Sequence, residues 1–279
     1  MVALGACGSS SSGKAKSGAA AHTASVTPPV VDVTASGANG TWSFQFPPTI
    51  PGGVITMRLH NTSASDSHDL QLVRSDGTHT ADEVKAVVTK DGVPIPDWLH
   101  AAGGVSDVAP GQTGEATFEL PAGHYFYFCT DDTNGVDHST HGMFGEIDVT
   151  GNSGASLPTP TAHVTASEYK FDTSGLKAGD NLVEFKNSGI QLHMVLAAPM
   201  QPGKTLADVK TAMSSDNQSA PPPIDFEKAV GAEVVDPGQS VFVHWNLSPG
   251  KYAMLCFLND HTGGPPHFTM GMLQELDIT

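Results

Sequence analysis

Residues 109–129 read APGQTGEATFELPAGHYFYFC, and residues 236–256 read DPGQSVFVHWNLSPGKYAMLC. The two lie over each other without a gap: a Pro-Gly-Gln turn, an alternating run, a second glycine turn, and a run that closes on cysteine. Alternation of period two, punctuated by Pro and Gly, predicts a pair of strands joined by a tight turn. The match continues outward from this core. GEIDVT (145–150) answers QELDIT (274–279), and VITMRLHN, ending on Asn61, answers NLVEFKN, ending on Asn187. Each asparagine is followed by a histidine on the next apolar run, His68 in SHDLQLV and His193 in LHMVLAA. A helical insertion comes next in each half. TADEVKAVV opens on a capping box, Thr80 with Glu83, and TLADVKTAM starts the same way at Thr205.

A unit of about 120 residues present twice implies two copies of one fold rather than a solenoid. Each copy holds some seven or eight short alternating strands, so the chain is expected to be all-β: two tandem Greek-key β-sandwiches, each with a short helical insertion. Residues 24–150 form the first expected domain, GNSGASLPTP (151–160) the linker, and residues 161–279 the second domain. The apolar residues, 39% of the chain, fall in short runs, enough for each half to bury a core of its own.

Bulk charge narrows the partners. A net charge of −16 excludes nucleic acid, because phosphate binding needs clustered Lys and Arg, and leaves a basic docking partner as the electrostatic match. No run of 18 apolar residues occurs, so no membrane-spanning helix is expected. Near the start, Leu4-Gly5-Ala6-Cys7 resembles a bacterial lipobox. That resemblance implies lipidation of Cys7, an extracytoplasmic protein held at a membrane only by its acyl chains, and a Gly/Ser/Ala tether over residues 1–23. Only six residues precede Cys7, too few for a full signal peptide, so either the leader is truncated, the favoured reading, or the match is chance and the protein is secreted.

The three cysteines, Cys7, Cys129 and Cys256, make no disulfide framework, and Cys129 and Cys256 occupy equivalent strands of separate copies. The loops downstream of Cys129 and Cys256 are more informative. In the first copy Cys129 is followed after eight residues by His138 and, after four more, by Met143; in the second, Cys256 is followed after ten by His267 and after four by Met272. With the upstream histidines, the set is His68, Cys129, His138, Met143 and again His193, Cys256, His267, Met272. A thiolate suits copper(I), imidazoles suit copper(II), and a weak axial thioether completes a trigonal site that both oxidation states accept. Taken singly, each residue has an ordinary structural reading: a buried inert thiol, a loop-filling methionine, a satisfied core imidazole. Four types in one order, twice, weigh against that reading.

Both halves resemble cupredoxins, the blue or type 1 copper family, over residues of about 24–279. The upstream histidine and the Cys…His-x4-Met loop match the family's ligand order, and the eight-residue spacing of the first loop is similar to the type 1 loop of copper nitrite reductases. The resemblance implies one copper per domain and an electron-transfer role. Multicopper oxidases and nitrite reductases also resemble this architecture, but they couple type 1 copper to a catalytic copper through a histidine beside the cysteine. Here Phe128 and Thr130 flank Cys129, Leu255 and Phe257 flank Cys256, and no His-x-His pair occurs. A copper-delivery module and a metal-free scaffold are further alternatives, and zinc is chemically compatible with the His2Cys sets. Met272 keeps the spacing of Met143 and is preferred to Met270 as the axial group. His141, His261 and His124 are expected outside the ligand sets. Asp131, Asp132 and Asp137 make the first loop the more polar one, and Asn61 and Asn187 are expected to brace the ligand loops. No Gly-x-Ser-x-Gly elbow, Walker loop or His-Glu-x-x-His occurs.

Overall fold

The structure is a computed structural model and describes residues 26–90, 94–215 and 220–279; Cys7 and the tether lie outside the described residues. The first half contributes β1 (Val30–Ala38), β2 (Thr41–Gln45), β3 (Ile50–Pro51), β4 (Gly53–Asn61), β5 (His68–Ser75), helix α1 (Ala81–Val88), β6 (Leu99–Val108), β7 (Thr113–Leu120), β8 (Gly123–Phe128), the short β9 (Asp132–Thr133) and β10 (Val136–Asp137), and β11 (Phe144–Thr150). The second contributes β12 (Ala162–Ser167), β13 (Lys170–Ser174), β14 (Gly179–Asn187), β15 (His193–Pro199), helix α2 (Leu206–Met213), β16 (Val230–Val235), β17 (Ser240–Leu247), β18 (Gly250–Leu255) and β19 (Leu273–Ile278). Between β11 and β12 the chain forms no strand.

Two large sheets pack as layers of an all-β sandwich. One runs β13-β12-β14-β17-β7-β4-β1-β2 and the other β19-β18-β15-β16-β6-β5-β8-β11-β3. Period-two alternation explains how the strands face the space between them. In β14, Asn181, Val183, Phe185 and Asn187 are buried while the residues between them are at least partly exposed. Phe118, Phe185 and Trp245 are almost wholly buried, and burying one such side chain contributes roughly 1.5–3 kcal/mol. The sheets are mixed: β1 pairs parallel to β4 and β12 parallel to β14.

The two halves, each with strands in both layers, join edge to edge. β17 pairs with β7 in one sheet and β16 with β6 in the other, both antiparallel, so each sheet crosses the seam. One apolar cluster extends from Val31 to Ile278 through both halves. Each half buries an apolar cluster of its own around Val84 or Val209, and the larger cluster is continuous across the seam. The reason is edge chemistry: an exposed strand edge carries unpaired backbone groups, and each half's edge satisfies the other's. Gln71 extends this pairing with its side chain, donating from Nε2 to the Val234 carbonyl (3.1 Å) and accepting from the Val234 amide at Oε1 (2.9 Å).

Both helices begin as the sequence predicts. Thr80 and Thr205 each close a capping box, with Glu83 and Asp208 as the respective partners. Val84 and Val209 are the residues these helices bury.

Candidate metal centres

In each half the upstream histidine opens a strand, His68 on β5 and His193 on β15, while the cysteine comes directly after the last residue of β8 or β18. The second histidine is the first residue of a single helical turn, His138–Thr140 or His267–Met270. Matching backbone hydrogen bonds fold the two loops alike. The amide of Cys129 donates to the Met143 carbonyl (3.1 Å) and that of Met143 to the His138 carbonyl (3.0 Å); Cys256 with Met272 (3.2 Å) and Met272 with His267 (3.0 Å) repeat the pattern. This clamp holds the loop ends in place although the intervening lengths differ by two residues.

A glycine precedes each methionine because the loop needs it. Gly142 (φ +113°) and Gly271 (φ +143°) lie in the positive-φ region, and a β-carbon on either would strike the backbone of Trp42 or of Tyr169. The hairpin of strands β1 and β2, or β12 and β13, thus closes over the loop. The Trp42 ring lies 4.0 Å from that of His138, centroid to centroid, and the Tyr169 ring 5.1 Å from that of His267.

The structure brings His68, Cys129 and His138 together, and likewise His193, Cys256 and His267, with one donor atom from each residue within 4.8 Å of the others in its set. Cys129 Sγ is 3.5 Å from His138 Nδ1 and 3.8 Å from His68 Nδ1, and the two Nδ1 atoms are 3.0 Å apart. Cys256 Sγ is 3.5 Å from His267 Nδ1. All eight candidate ligands, Met143 and Met272 included, are at most 1% exposed. Both cysteines are free, with no bridge between them.

Hydrogen bonding on the far side of the rings fixes where the inner lone pairs point. Thr133 Oγ1 donates to Asp66 Oδ1 (2.9 Å), so toward His138 Nε2 (3.0 Å) it accepts, and Nε2 carries the ring proton. Trp42 Nε1 donates to the other oxygen of Asp66 (3.1 Å), anchoring the relay. His193 Nε2 lies 3.2 Å from the Glu168 carboxylate, whose usual role is acceptor, so its Nδ1 is the unprotonated atom. His193 Nδ1 is buried with no hydrogen-bond partner; in His267 it is Nδ1 that faces Cys256, and the outer Nε2 is the buried atom without a partner. An orphaned imidazole lone pair beside a buried thiol, in both chemistry and position, fits a bound metal ion.

Burial pushes the His68 pKa down to about 4, helped by the neighbouring His138, and pushes His267 down to about 4, helped by His193. His138 and His193 are lowered by burial as well. The imidazoles are therefore neutral and free to ligate at neutral pH. Burial pushes the Cys256 thiol up to about 11 and the Cys129 thiol higher still, the latter aided by Asp69 and Asp131. A metal cation reverses this preference and deprotonates a coordinating thiol. Glu168 is held below the usual carboxylate range: burial opposes ionisation, and the amides of Ile190 and Gln191 with His193 outweigh it.

Several neighbours went unread in the sequence. Asp69, beside His68, accepts from the amide (2.6 Å) and hydroxyl (2.8 Å) of Thr130, and with Asp131 it forms a carboxylate pair next to Cys129. Burial, with Asp69 as the next cause, pushes Asp131 up to about 8. Asn61 and Asn187 brace a different place from the one expected. Asn61 Nδ2 donates to the carbonyls of Asp66 (2.8 Å) and Val108 (2.7 Å), and Asn187 Nδ2 to those of Gln191 (2.7 Å) and Val235 (2.9 Å). They hold the turn before the upstream histidine, not the loop after the cysteine. Met270 and His261 are exposed, His124 pairs with Glu146 and Asp148 at the surface, and His141 is an exposed neighbour of Trp42.

No protein-family model and no curated protein matches the chain. Among solved structures it is similar to auracyanin A, a blue copper protein from Chloroflexus aurantiacus, at 23% identity over 44% of this chain and 100% of that one, TM-score 0.34. An auracyanin from Roseiflexus castenholzii is similar at 22% identity over 45% of this chain and 98% of that one, TM-score 0.32. A copper nitrite reductase from Nitrosomonas europaea is similar at 15% identity over 90% of this chain and 94% of that one, TM-score 0.26. At scores this low the likenesses add nothing to what the sheets and donor sets themselves show. In those sheets and donor sets the chain is cupredoxin-like: an all-β sandwich with a buried His–Cys–His cluster at the strand ends of each half.

Proposed function

We propose that the chain is a copper-binding electron carrier with one type 1 copper in each half. His68, Cys129, His138 and Met143 hold the first ion, and His193, Cys256, His267 and Met272 the second. The observation that supports this most is the pair of buried clusters, each with two neutral imidazoles and a thiol converging within 4.8 Å. Two imidazoles, a thiolate and a weak thioether suit copper in both oxidation states. Bound copper supplies one-electron exchange; the protein supplies a donor frame that stays put when the electron moves. The Cys–Met–His backbone clamp, the ring covers and the Thr133–Asp66 relay all limit rearrangement of that frame.

The acidic chain, with 29 Asp and Glu against 13 Lys and Arg, suits brief docking with a basic redox partner through a small interface. The reading includes an extracytoplasmic location with lipid anchoring at Cys7. No helix among the described residues is long and apolar enough to cross a membrane. Neither cysteine has an adjacent histidine to relay electrons to a catalytic copper, which favours a carrier over an oxidase or nitrite reductase.

Reconstitution of the full chain with copper(II) tests the proposal. The expected product holds two coppers, shows intense visible thiolate-to-copper absorption and a type 1 EPR signal, and cycles reversibly between oxidation states. Uptake of copper without that absorption, or stable loading with zinc alone, defeats it.

A further inference from the structure

The two centres differ at one atom behind the upstream histidine. In the first half His68 Nε2 meets the hydroxyl of Ser63 at 2.8 Å. In the second half His193 Nε2 meets the carboxylate of Glu168 at 3.2 Å. The two partners come from different places in the chain, and a paired exchange explains how.

Ser63 and Gly189 are structural counterparts. Each stands two residues after the matching asparagine and donates its amide to that side chain, Ser63 to Asn61 Oδ1 and Gly189 to Asn187 Oδ1, both at 2.9 Å. Where Ser63 offers its own hydroxyl, Gly189 has no side chain, and a β-carbon there would collide with Glu168 Oε1. Glu168 reaches into that space from the turn between β12 and β13. The registers Ala35–Asn61 and Ala166–Asn187 put Gly37 at the corresponding point of the first half, where no carboxylate is available. Hydroxyl on the loop with glycine on the hairpin has become glycine on the loop with carboxylate on the hairpin. The amides of Ile190 (2.7 Å) and Gln191 (2.9 Å) fix Glu168 Oε1 in place.

Resting on the copper reading, we propose that Glu168 is a positioning residue that biases the second centre toward copper(II), a bias that Ser63 does not impose on the first. A carboxylate accepting the outer N–H of a ligating imidazole fixes its tautomer and raises its basicity. A more basic imidazole favours the harder, more highly charged ion. Oxidation state changes by one electron taken from or given to an external redox couple, with no bond between protein atoms made or broken. The hydroxyl of Ser63 is neutral and exerts a weaker pull.

The test is potentiometric, on the full chain with copper in both centres, using an iron hexacyanide couple as titrant. Cys129→Ser and Cys256→Ser backgrounds assign each potential to its centre. Glu168→Gln keeps the shape and the acceptor oxygen while removing the charge. At a fixed applied potential it is expected to lower the oxidised-to-reduced ratio of the second centre about tenfold, a rise of about 59 mV for a one-electron couple. The first centre is expected to stay put. Glu168→Gly combined with Gly189→Ser, which rebuilds the first centre's arrangement in the second, is expected to move the potential the same way and serves if the glutamine variant folds poorly. A shift under threefold, a shift shared equally by both centres, or a fall in potential overturns the role of Glu168 and leaves the copper reading intact. Failure of the unsubstituted chain to bind copper with type 1 absorption overturns the copper reading itself and the role of Glu168 with it.

Discussion

Ala116 on β7 pairs with Val243 on β17, and the two hold the same place in the repeated sequence. An antiparallel ladder in which a residue meets its own counterpart is the mark of an approximate two-fold axis, here inside a single chain. The duplication thus supplied both edges of its own interface. That relation explains why the sheets run on through the seam and why one apolar cluster serves both halves.

Gln71 is the polar group on which this seam leans. It bonds both backbone groups of Val234 from the opposite half, and its Nε2 also donates to the Gly103 carbonyl at 3.1 Å. Gln71→Ala strands these groups at a site where Gln71 itself is buried, at a cost of about 1–3 kcal/mol. Calorimetry is expected to show a lower melting temperature, on the order of 2–4 °C per kcal/mol for a chain of this size. An unchanged melting temperature argues that the seam is held by the apolar cluster alone.

Removal of one thiol separates the centres. Cys129→Ser and Cys256→Ser are each expected to retain one copper of two and to lose roughly the share of visible absorption that belongs to the altered site, since thiolate is the ligand that suits copper(I) and gives the trigonal site its character. Metal analysis beside the absorption spectrum checks this. Loss of both coppers in either variant would mean that the centres are not independent.

Protons act on the metal-free chain from two directions. His68 and His267 titrate near 4 when folded and at about 6.5 when unfolded. Between these values the unfolded chain binds more protons, so stability falls as pH drops from about 6.5 toward 4. Asp131 runs the other way. Its folded pKa of about 8 against an ordinary value of 3.8 means that the folded chain binds more protons in that window, and stability falls as pH rises through it. Above a pH of about 6.5 the two histidines no longer contribute a slope and the carboxylate does. Metal-free protein is therefore expected to lose stability from about pH 6.5 to about pH 8, and Asp131→Asn to lose less. Urea unfolding midpoints at these pH values decide it, and equal losses in both proteins would discard the carboxylate explanation.

The His–Cys–His clusters were legible because two members of each come from one loop, where spacing is written directly in the sequence, and the third opens a matching strand. The helices were legible through their capping boxes. What lay hidden depends on contacts made only after folding. Glu168 reaches His193 from a hairpin 25 residues upstream, and its access depends on the missing side chain of Gly189. Asp66 is linked by hydrogen bonds to His138 through Thr133, which a two-stranded ribbon, β9 with β10, brings to it. The merged sheets were hidden for the same reason: alternation predicts that β7 and β17 are strands but not that they are each other's neighbours.

The choice of axial sulfur in the second centre has a direct test. Met270 and Met272 are two residues apart, yet Met270 is 38% exposed and Met272 is fully buried. Met272 is also the residue whose carbonyl receives the Cys256 amide and whose amide bonds the His267 carbonyl, as Met143 does with Cys129 and His138. On the proposed assignment a thioether in that place is the weak axial group, and leucine fills similar volume with no lone pair. Met272→Leu is expected to raise the potential of the second centre and alter its EPR signal while leaving one copper bound there. Met270→Leu is expected to leave both unchanged. If the exposed methionine is the one whose loss moves the spectrum, the ligand assignment for this loop is wrong, and the clamp around Met272 serves only to shape the backbone.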